Sequence, residues 1–337
     1  MLGCNHGAKN TLDKNYLHLA EGLGLVIEAD TEVTWVKPVD EGYEVEARQG
    51  TWALQALNRK QTYRAKQVIF AGGVLGTVPL LLKLREQATG LPRLSSRVGD
   101  FVRTNSEVLV GVVTQRRDQD LSKGIAIGSI LHTDEHSHLE PVRYSAGAGF
   151  FRTLMLPMAP GDTLFQRVAN ALGLVLRHPI RTLRTYLVSD WAKFTMILLY
   201  MRTVDGHIRM RLGRGLRTGF TRGAVTEPGD GPPAKAWAPE ATDLSERVAK
   251  HLDGYPTSLL TETLLGIPTT AHILGGAPMG DSPETGAIDH RHRLFGYEGL
   301  YVIDGAAISA NPGVNPSLTI AALAERAMTF IPPRDPR

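Results

Sequence analysis

The chain has 337 residues, 42% hydrophobic and 21% charged, which supports a sizeable buried core and excludes a disordered or coiled-coil chain. A formal charge of +3 with no clustered basic run excludes nucleic-acid binding driven by bulk charge. The single cysteine, Cys4, excludes an internal disulfide and a cysteine-built metal site, and it is compatible with a reducing cytoplasm.

The first residues, Met1 to Gly7, carry no basic segment followed by an apolar run, so no signal peptide is read there. Residues 31–39 and 43–48 alternate β-branched and aromatic with polar side chains on either side of Asp40-Glu41-Gly42, which predicts two strands of a β-meander joined by a tight turn. Residues 65–71 form a short apolar strand pattern closed by Gly72 and Gly73, and residues 75–85 are Leu-rich and helical. Strand, glycine turn and helix in that order let a phosphate or sugar approach the backbone closely. A tight turn between packed elements needs the same two glycines, so the pattern alone leaves both readings open.

Residues 106–130, 194–202 and 207–212 alternate as strands and predict a second, antiparallel sheet. The longest apolar stretch, residues 194–201, falls far short of the ~20 residues that span a bilayer. Leu164, Phe165, Val168, Ala171, Leu172, Val175 and Leu176 recur at helical spacing beside Arg167, Arg177, Arg181 and Arg184, and Pro179 should interrupt that helix. A basic amphipathic helix of this kind packs on a protein surface or rests on lipid. Residues 219–239 are rich in Gly, Pro and Ala and read as a loop or linker. Together these elements define an α/β (α+β) fold.

The C-terminal part holds the chemistry. In Thr270-Ala271-His272-Ile273-Leu274-Gly275-Gly276 an imidazole precedes two small residues, where a flat ligand could reach the backbone. Leu300-Tyr301-Val302-Ile303-Asp304-Gly305 is a short buried-type strand with a carboxylate at its tip, able to bind a hydroxylated ligand or to close an Asx turn. Asn315 then reads as the N-cap and Pro316 as the first residue of an Ala-rich helix, so the amides of Ser317 and Leu318 would face developing negative charge. Asp289-His290-Arg291-His292 reads as a solvated polar turn, with no further run of metal ligands.

His-x-Leu-Gly-Gly, Leu-Tyr-Val-x-Asp-Gly and Asn-Pro-Ser-Leu-Thr, in this order and before an Ala-rich helix, resemble the C-terminal signature of the glucose-methanol-choline (GMC) oxidoreductases. The opening residues 3–17 and residues 68–82 are similar to the middle of bacterial cholesterol oxidases in that family. The resemblance implies a partial FAD-binding Rossmann-like domain over residues 1–105 and 265–337. It also implies a substrate-binding domain over 106–264, with an antiparallel sheet and a helical lid.

It implies FAD as cofactor and oxidation of an alcohol, a sterol 3-hydroxyl or another apolar alcohol, by hydride transfer to flavin. His272 matches the position that contacts the substrate hydroxyl, and Asn315 the position beside flavin and substrate oxygen. Val33, Gly72, Gly73, Asp304, Gly305, Asn315, Pro316 and Ser317 match cofactor-binding positions. The steroid isomerisation known in the family needs a further carboxylate, for which Glu140 is a candidate that reads as a surface charge. No Gly-x-Gly-x-x-Gly follows an opening strand, which predicts a C-terminal portion, a subunit completed by a separate FAD-binding chain, or an inactive remnant. The compartment read from the sequence is cytoplasmic, with peripheral membrane contact through the basic helix.

Overall fold

The computed structural model describes residues 6–51, 58–159, 161, 163–231 and 237–333. Cys4, the start of the opening motif at residues 3–5, and residues 232–236 of the expected linker lie outside them. A short helix, α1 (Tyr16–Gly22), precedes the first sheet and touches α6 (Ser317–Met328) through the Tyr16 hydroxyl, which donates to Glu325.

Gly42 closes the first hairpin at φ 111°, and a Cβ there would lie 2.4 Å from the Ala65 carbonyl oxygen, so both conformation and space call for glycine. The hairpin joins β1 (Thr31–Val39) to β2 (Gly42–Gln49), and β3 (Arg59–Ala65) pairs antiparallel with β2 to make a three-stranded meander. The chain then enters β4 (Val68–Phe70) and turns at Gly72 into α2 (Gly73–Arg85). β4 lies parallel to β14 (Leu300–Val302), with Val68 opposite Leu300 and Phe70 opposite Val302. Val36, Val78, Leu81, Ile288, Leu300 and Val302 are buried in the core shared by meander, α2 and this parallel pair.

A six-stranded sheet in the order β7-β8-β10-β6-β13-β9 forms the other half, and every neighbouring pair is antiparallel. Its strands are β6 (Val108–Thr114), β7 (Leu131–Asp134), β8 (Ser137–Val142), β9 (Met155–Pro157), β10 (Thr195–Arg202) and β13 (Gly254–Leu259). The two-residue period sorts the side chains to two faces. Val108, Val110, Leu198 and Tyr200 pack with Ala241 and Ala249 of α5 (Pro239–His251), while Val113, Ile197, Leu199 and Met201 pack with Trp191 and Phe194.

The helical stretch forms as α3 (Leu164–Arg177), started by a capping box between Thr163 and Gln166, and α4 (Pro179–Tyr186). Pro179 ends one helix and begins the next, because the missing N–H is no loss in a first turn. Among the described residues no helix is long and apolar enough to cross a membrane.

Three segments differ from the sequence expectations. Of residues 106–130 only β6 forms a strand; the following run gives its polar side chains to local bonds, Arg116 donating to Asp118 and Ser122 donating to Asp120, which compete with a ladder. The expected linker contains β12 (Gly223–Pro228), an outer strand paired with β11 (His207–Gly213). β11 in turn pairs with β5 (Val102–Arg103) in a separate sheet and packs against the first core, with Met210 N bonded to Gly99 O at 2.7 Å.

Candidate active site

A short antiparallel bridge assembles the site. Arg103 and Leu274 exchange both backbone hydrogen bonds at 2.8 Å, and Gly275 permits the approach: at φ 78°, a Cβ on it would lie 2.0 Å from the Phe101 carbonyl oxygen. Continuing that register two residues outward sets His272 opposite Asn105. The Asn105 Nδ2 lies 2.8 Å from His272 Nδ1, 2.8 Å from the Met201 sulfur and 3.5 Å from the Val314 carbonyl oxygen, so one amide touches the histidine, the sheet and the segment before α6.

Glu107 completes the arrangement. Its Oε1 accepts from the Ala271 amide at 2.7 Å and its Oε2 lies 2.9 Å from His272 Nδ1, with the carboxylate side chain 1% exposed and the imidazole 16%. A ring nitrogen has one in-plane hydrogen-bonding direction, and two groups approach it. Hydrogen bonds to an ionised partner are roughly twice as strong as neutral ones, and Asn105 has other acceptors in Met201 and Val314. The carboxylate is thus the stronger of the two partners facing Nδ1, and Nε2 has no hydrogen-bond partner among the described residues.

Two further acids are buried. Glu262, on the single π-helical turn Thr261–Leu265, is buried, and burial pushes its carboxyl up to about 8 against the opposing pull of nearby backbone amides, with Glu107 adding to the rise. It carries its proton at neutral pH. Glu140 is not the surface charge expected of it: it is buried on β8 opposite Leu199, while His138, opposite Met201, lies 3.5 Å from it. Burial holds the His138 imidazole below its ordinary range, with Glu140 pulling the other way. Both belong to the sheet face that carries Met201.

The expected cofactor residues fall into three places. Val33 and Gly72 line one cleft of about 790 Å³, with Ile69, Leu75 and Gly76 on its walls and Lys83 and Arg222 at its polar part. Asp304 ties the glycine turn to the end of β14, its Oδ2 accepting from the Gly73 amide at 2.8 Å and from the Thr77 hydroxyl, and its Oδ1 from the Ala306 amide at 2.8 Å. Gly305 accepts from the Gly275 amide at 3.0 Å, which links this turn to the strand of His272.

Asn315, Pro316 and Ser317 form the third place. Asn315 is not the N-cap: Pro316 holds that position, its carbonyl accepting from Ile320 N at 2.9 Å, and the Asn315 side chain makes no cap. Its Oδ1 is buried without a partner, and the amides of Ser317 and Leu318 precede the first intrahelical donor.

The Asp289-His290-Arg291-His292 turn is only half solvated. His292 is buried with Nδ1 3.0 Å from the Val302 carbonyl oxygen, and the Asp289 carboxylate accepts from the amides of Arg291 and Arg293, which makes the pair a support for β14.

Residues 221–324 match the family model of the GMC oxidoreductases. The chain is 40% identical over 338 residues to a cholesterol oxidase of Acinetobacter baumannii, covering 98% of this chain and 60% of that protein. It is 42% identical over 340 residues to a cholesterol oxidase of Mycobacterium tuberculosis (strain H37Rv), covering 98% and 58%. The chain thus spans about three fifths of the length of these relatives. Among solved structures it is similar to a pyridoxine 4-oxidase at a TM-score of 0.48 and 13% identity, over 89% of this chain and 57% of that one.

Proposed function

We propose that this chain contributes the substrate side and part of the cofactor side of an FAD-dependent alcohol oxidoreductase acting on a sterol 3-hydroxyl. The observation that carries this reading is His272, largely buried, held at Nδ1 by a buried carboxylate and free at Nε2, beside the apolar face that carries Met201 and Leu199. The similarity to cholesterol oxidases along 98% of the chain favours a sterol over a short alcohol.

The residues present fit FAD. The cleft of Val33 and Gly72 is large enough for an adenosine, Gly73 and Gly76 leave open space where a Cβ would stand, and the orphaned Asn315 oxygen marks a polar group lacking its partner. Val33, Gly72, Gly73, Asp304 and Gly305 would hold its adenosine and ribityl-pyrophosphate parts, and Asn315, Pro316 and Ser317 its pyrimidine edge. FAD, when bound, accepts the hydride from the carbinol carbon. His272 takes the hydroxyl proton on Nε2 as that carbon becomes a carbonyl, and Asn315 orients the oxygen through its amide. The amides at the start of α6 favour negative charge nearby.

Residues 1–105 and 265–337 would form the cofactor side and 106–264 the substrate side, with α3 and α4 resting on lipid near the sterol entrance. The exposed side chains of Ile69 and Leu75 beside the parallel pair would be covered by further FAD-binding structure, in the same polypeptide or in a separate chain. A GMC dehydrogenase for a non-sterol alcohol is the second reading, and an inactive partner subunit the third.

The test is to titrate FAD into the protein, alone and joined to the FAD-binding segment of a relative. Bleaching of the flavin band under anaerobic conditions is then followed with a 3-hydroxysterol and with short primary alcohols. Rapid bleaching by the sterol is expected; bleaching by short alcohols alone favours the second reading, and no bleaching with flavin bound favours the third.

A further inference from the structure

We infer that Glu107 is a positioning residue: it fixes the His272 imidazole in the tautomer protonated at Nδ1 and thereby makes Nε2 the atom that receives the substrate proton. The inference rests on the alcohol-oxidising reading for the identity of that proton, while the tautomer is a property of the chain itself.

One carboxylate holds both the backbone and the ring. Oε1 accepts from the Ala271 amide at 2.7 Å and Oε2 from Nδ1 at 2.9 Å, so the ring can neither flip nor slide along its strand without breaking a buried charge-assisted bond. The alternative donor at Nδ1, the Asn105 amide, would give the opposite tautomer, with a proton on Nε2 that could only be donated to an alcohol oxygen. Such a histidine is no base.

The surrounding charges favour the first arrangement. Among the described residues no Lys or Arg pairs with Glu107, and His272 is its one ion-pair partner. Glu262, whose field reaches Glu107, is held neutral by burial and adds no negative charge beside that pair. When Nε2 takes a proton, the new positive charge finds a buried carboxylate already in contact, an electrostatic preorganisation that needs no movement. Glu107 touches neither substrate nor cofactor in this arrangement, and its effect passes through His272.

The experiment is nitrogen-15 NMR of the full chain labelled at histidine, with the His272 signals assigned by their loss in His272→Gln. In the neutral imidazole the proton is expected on Nδ1. In Glu107→Gln, Oε1 can still accept from the Ala271 amide, which turns the new amide nitrogen toward Nδ1 and should move the ring proton to Nε2. In the flavin-loaded protein the same variant should slow flavin reduction at saturating alcohol by at least ~100-fold, the scale of losing a correctly oriented base, with KM little changed.

A wild-type ring protonated at Nε2 overturns the inference, and so does a tautomer unchanged by Glu107→Gln. The wild-type spectrum decides even if the variant does not fold. If the tautomer is as inferred and reverses in the variant while no alcohol is oxidised, the alcohol-oxidising reading fails and the positioning role stands. If alcohol is oxidised with the proton on Nε2, the positioning role alone fails.

Discussion

The six-stranded antiparallel sheet and the two-stranded parallel pair are closed to different degrees. The first is covered on both faces, by α5 on one side and by Trp191, Phe194 and their neighbours on the other. The second is a parallel arrangement of a kind normally buried on both faces, yet Ile69 in β4 is 42% exposed and Leu75 in α2 is 66% exposed. The antiparallel half therefore folds around its own interior, whereas the parallel pair presents apolar surface. His272 stands where the two meet, held to β5 through the Arg103–Leu274 bridge and to the end of β14 through Gly275 and Gly305.

The largest expected effect tests whether chemistry and cofactor retention separate along this division. In the flavin-loaded protein, His272→Ala should lower turnover by roughly 10²–10⁴-fold, the contribution of a positioned general base, with flavin content retained. Steady-state rates and the flavin absorbance of the same sample measure both. Near-normal turnover would return His272 to a structural role, and loss of flavin would mean that the two sides are not separable at this residue.

The parts of the fold legible in the sequence are those specified locally. The Asp40-Glu41-Gly42 turn, the glycine turn before α2 and the break at Pro179 appear where their residues require them, because each depends on a φ angle or a missing donor. β8 and β13 were not legible: Glu140 and Pro141 interrupt the apolar pattern of one, and Gly254 and Pro256 that of the other, so only their partners β10 and β6 define them. The site divides likewise. The motif around His272 marks the histidine, but Asn105 and Glu107 reach it through a long-range bridge. Their one local signal was a polar Asn105-Ser106-Glu107 run directly before the apolar β6, buried where a solvated turn would be the ordinary expectation.

Glu262 probes how complete the interior of the antiparallel half is. Its folded carboxyl titrates at about 8 against an ordinary 4.5, so between those values the folded state binds more protons than the unfolded one. Stability contributed by this group is thus fully present below about 4.5 and falls as pH rises toward 8. At ~1.4 kcal/mol per pH unit the ideal change is several kcal/mol, and relaxation or water entry should leave on the order of 2–3 kcal/mol. Glu262→Gln should flatten that slope and raise the melting temperature relative to wild type at pH 8, read by thermal unfolding across the range. A wild-type slope that survives the substitution would assign it to another group and show water reaching this interior.

Lipid contact would set the antiparallel half apart in a second way. No side chain of α3 is buried; Phe165 is 82% exposed, while Arg177 and Arg184 have no ion pair among the described residues and Arg181 bonds to Asp253 at 2.7 Å. A basic residue near an anionic bilayer contributes ~1 kcal/mol. Replacing Arg177, Arg181 and Arg184 by Gln should then weaken co-sedimentation with anionic liposomes by about 2 kcal/mol, roughly 30-fold, because Arg181 is already engaged. Unchanged sedimentation would make α3 and α4 ordinary surface helices.

The smallest expected effect is on stability at Asn315, directly before the cap of α6. An N-cap asparagine exchanged for alanine would cost ~1 kcal/mol. Pro316 is the cap here, and the buried Asn315 Oδ1 lacks a partner, so Asn315→Ala removes no folded-state bond of that oxygen and should shift stability by no more than ~0.5 kcal/mol. Its effect should appear only with FAD bound. The Asn315 amide nitrogen can donate to the flavin; a hydrogen bond to a charged group contributes ~1.5–3 kcal/mol, so losing this donor, whose bond strengthens as the flavin gains negative charge, should lower the two-electron reduction potential by roughly 30–65 mV. Thermal unfolding of the flavin-free chain and a redox titration of the loaded protein give the two quantities separately. A loss of ~1 kcal/mol or more with an unchanged potential would assign Asn315 to the start of α6. The expected pattern, a lowered potential with an unchanged melt, assigns the Asn315 amide donor to the flavin and separates that role from the start of α6.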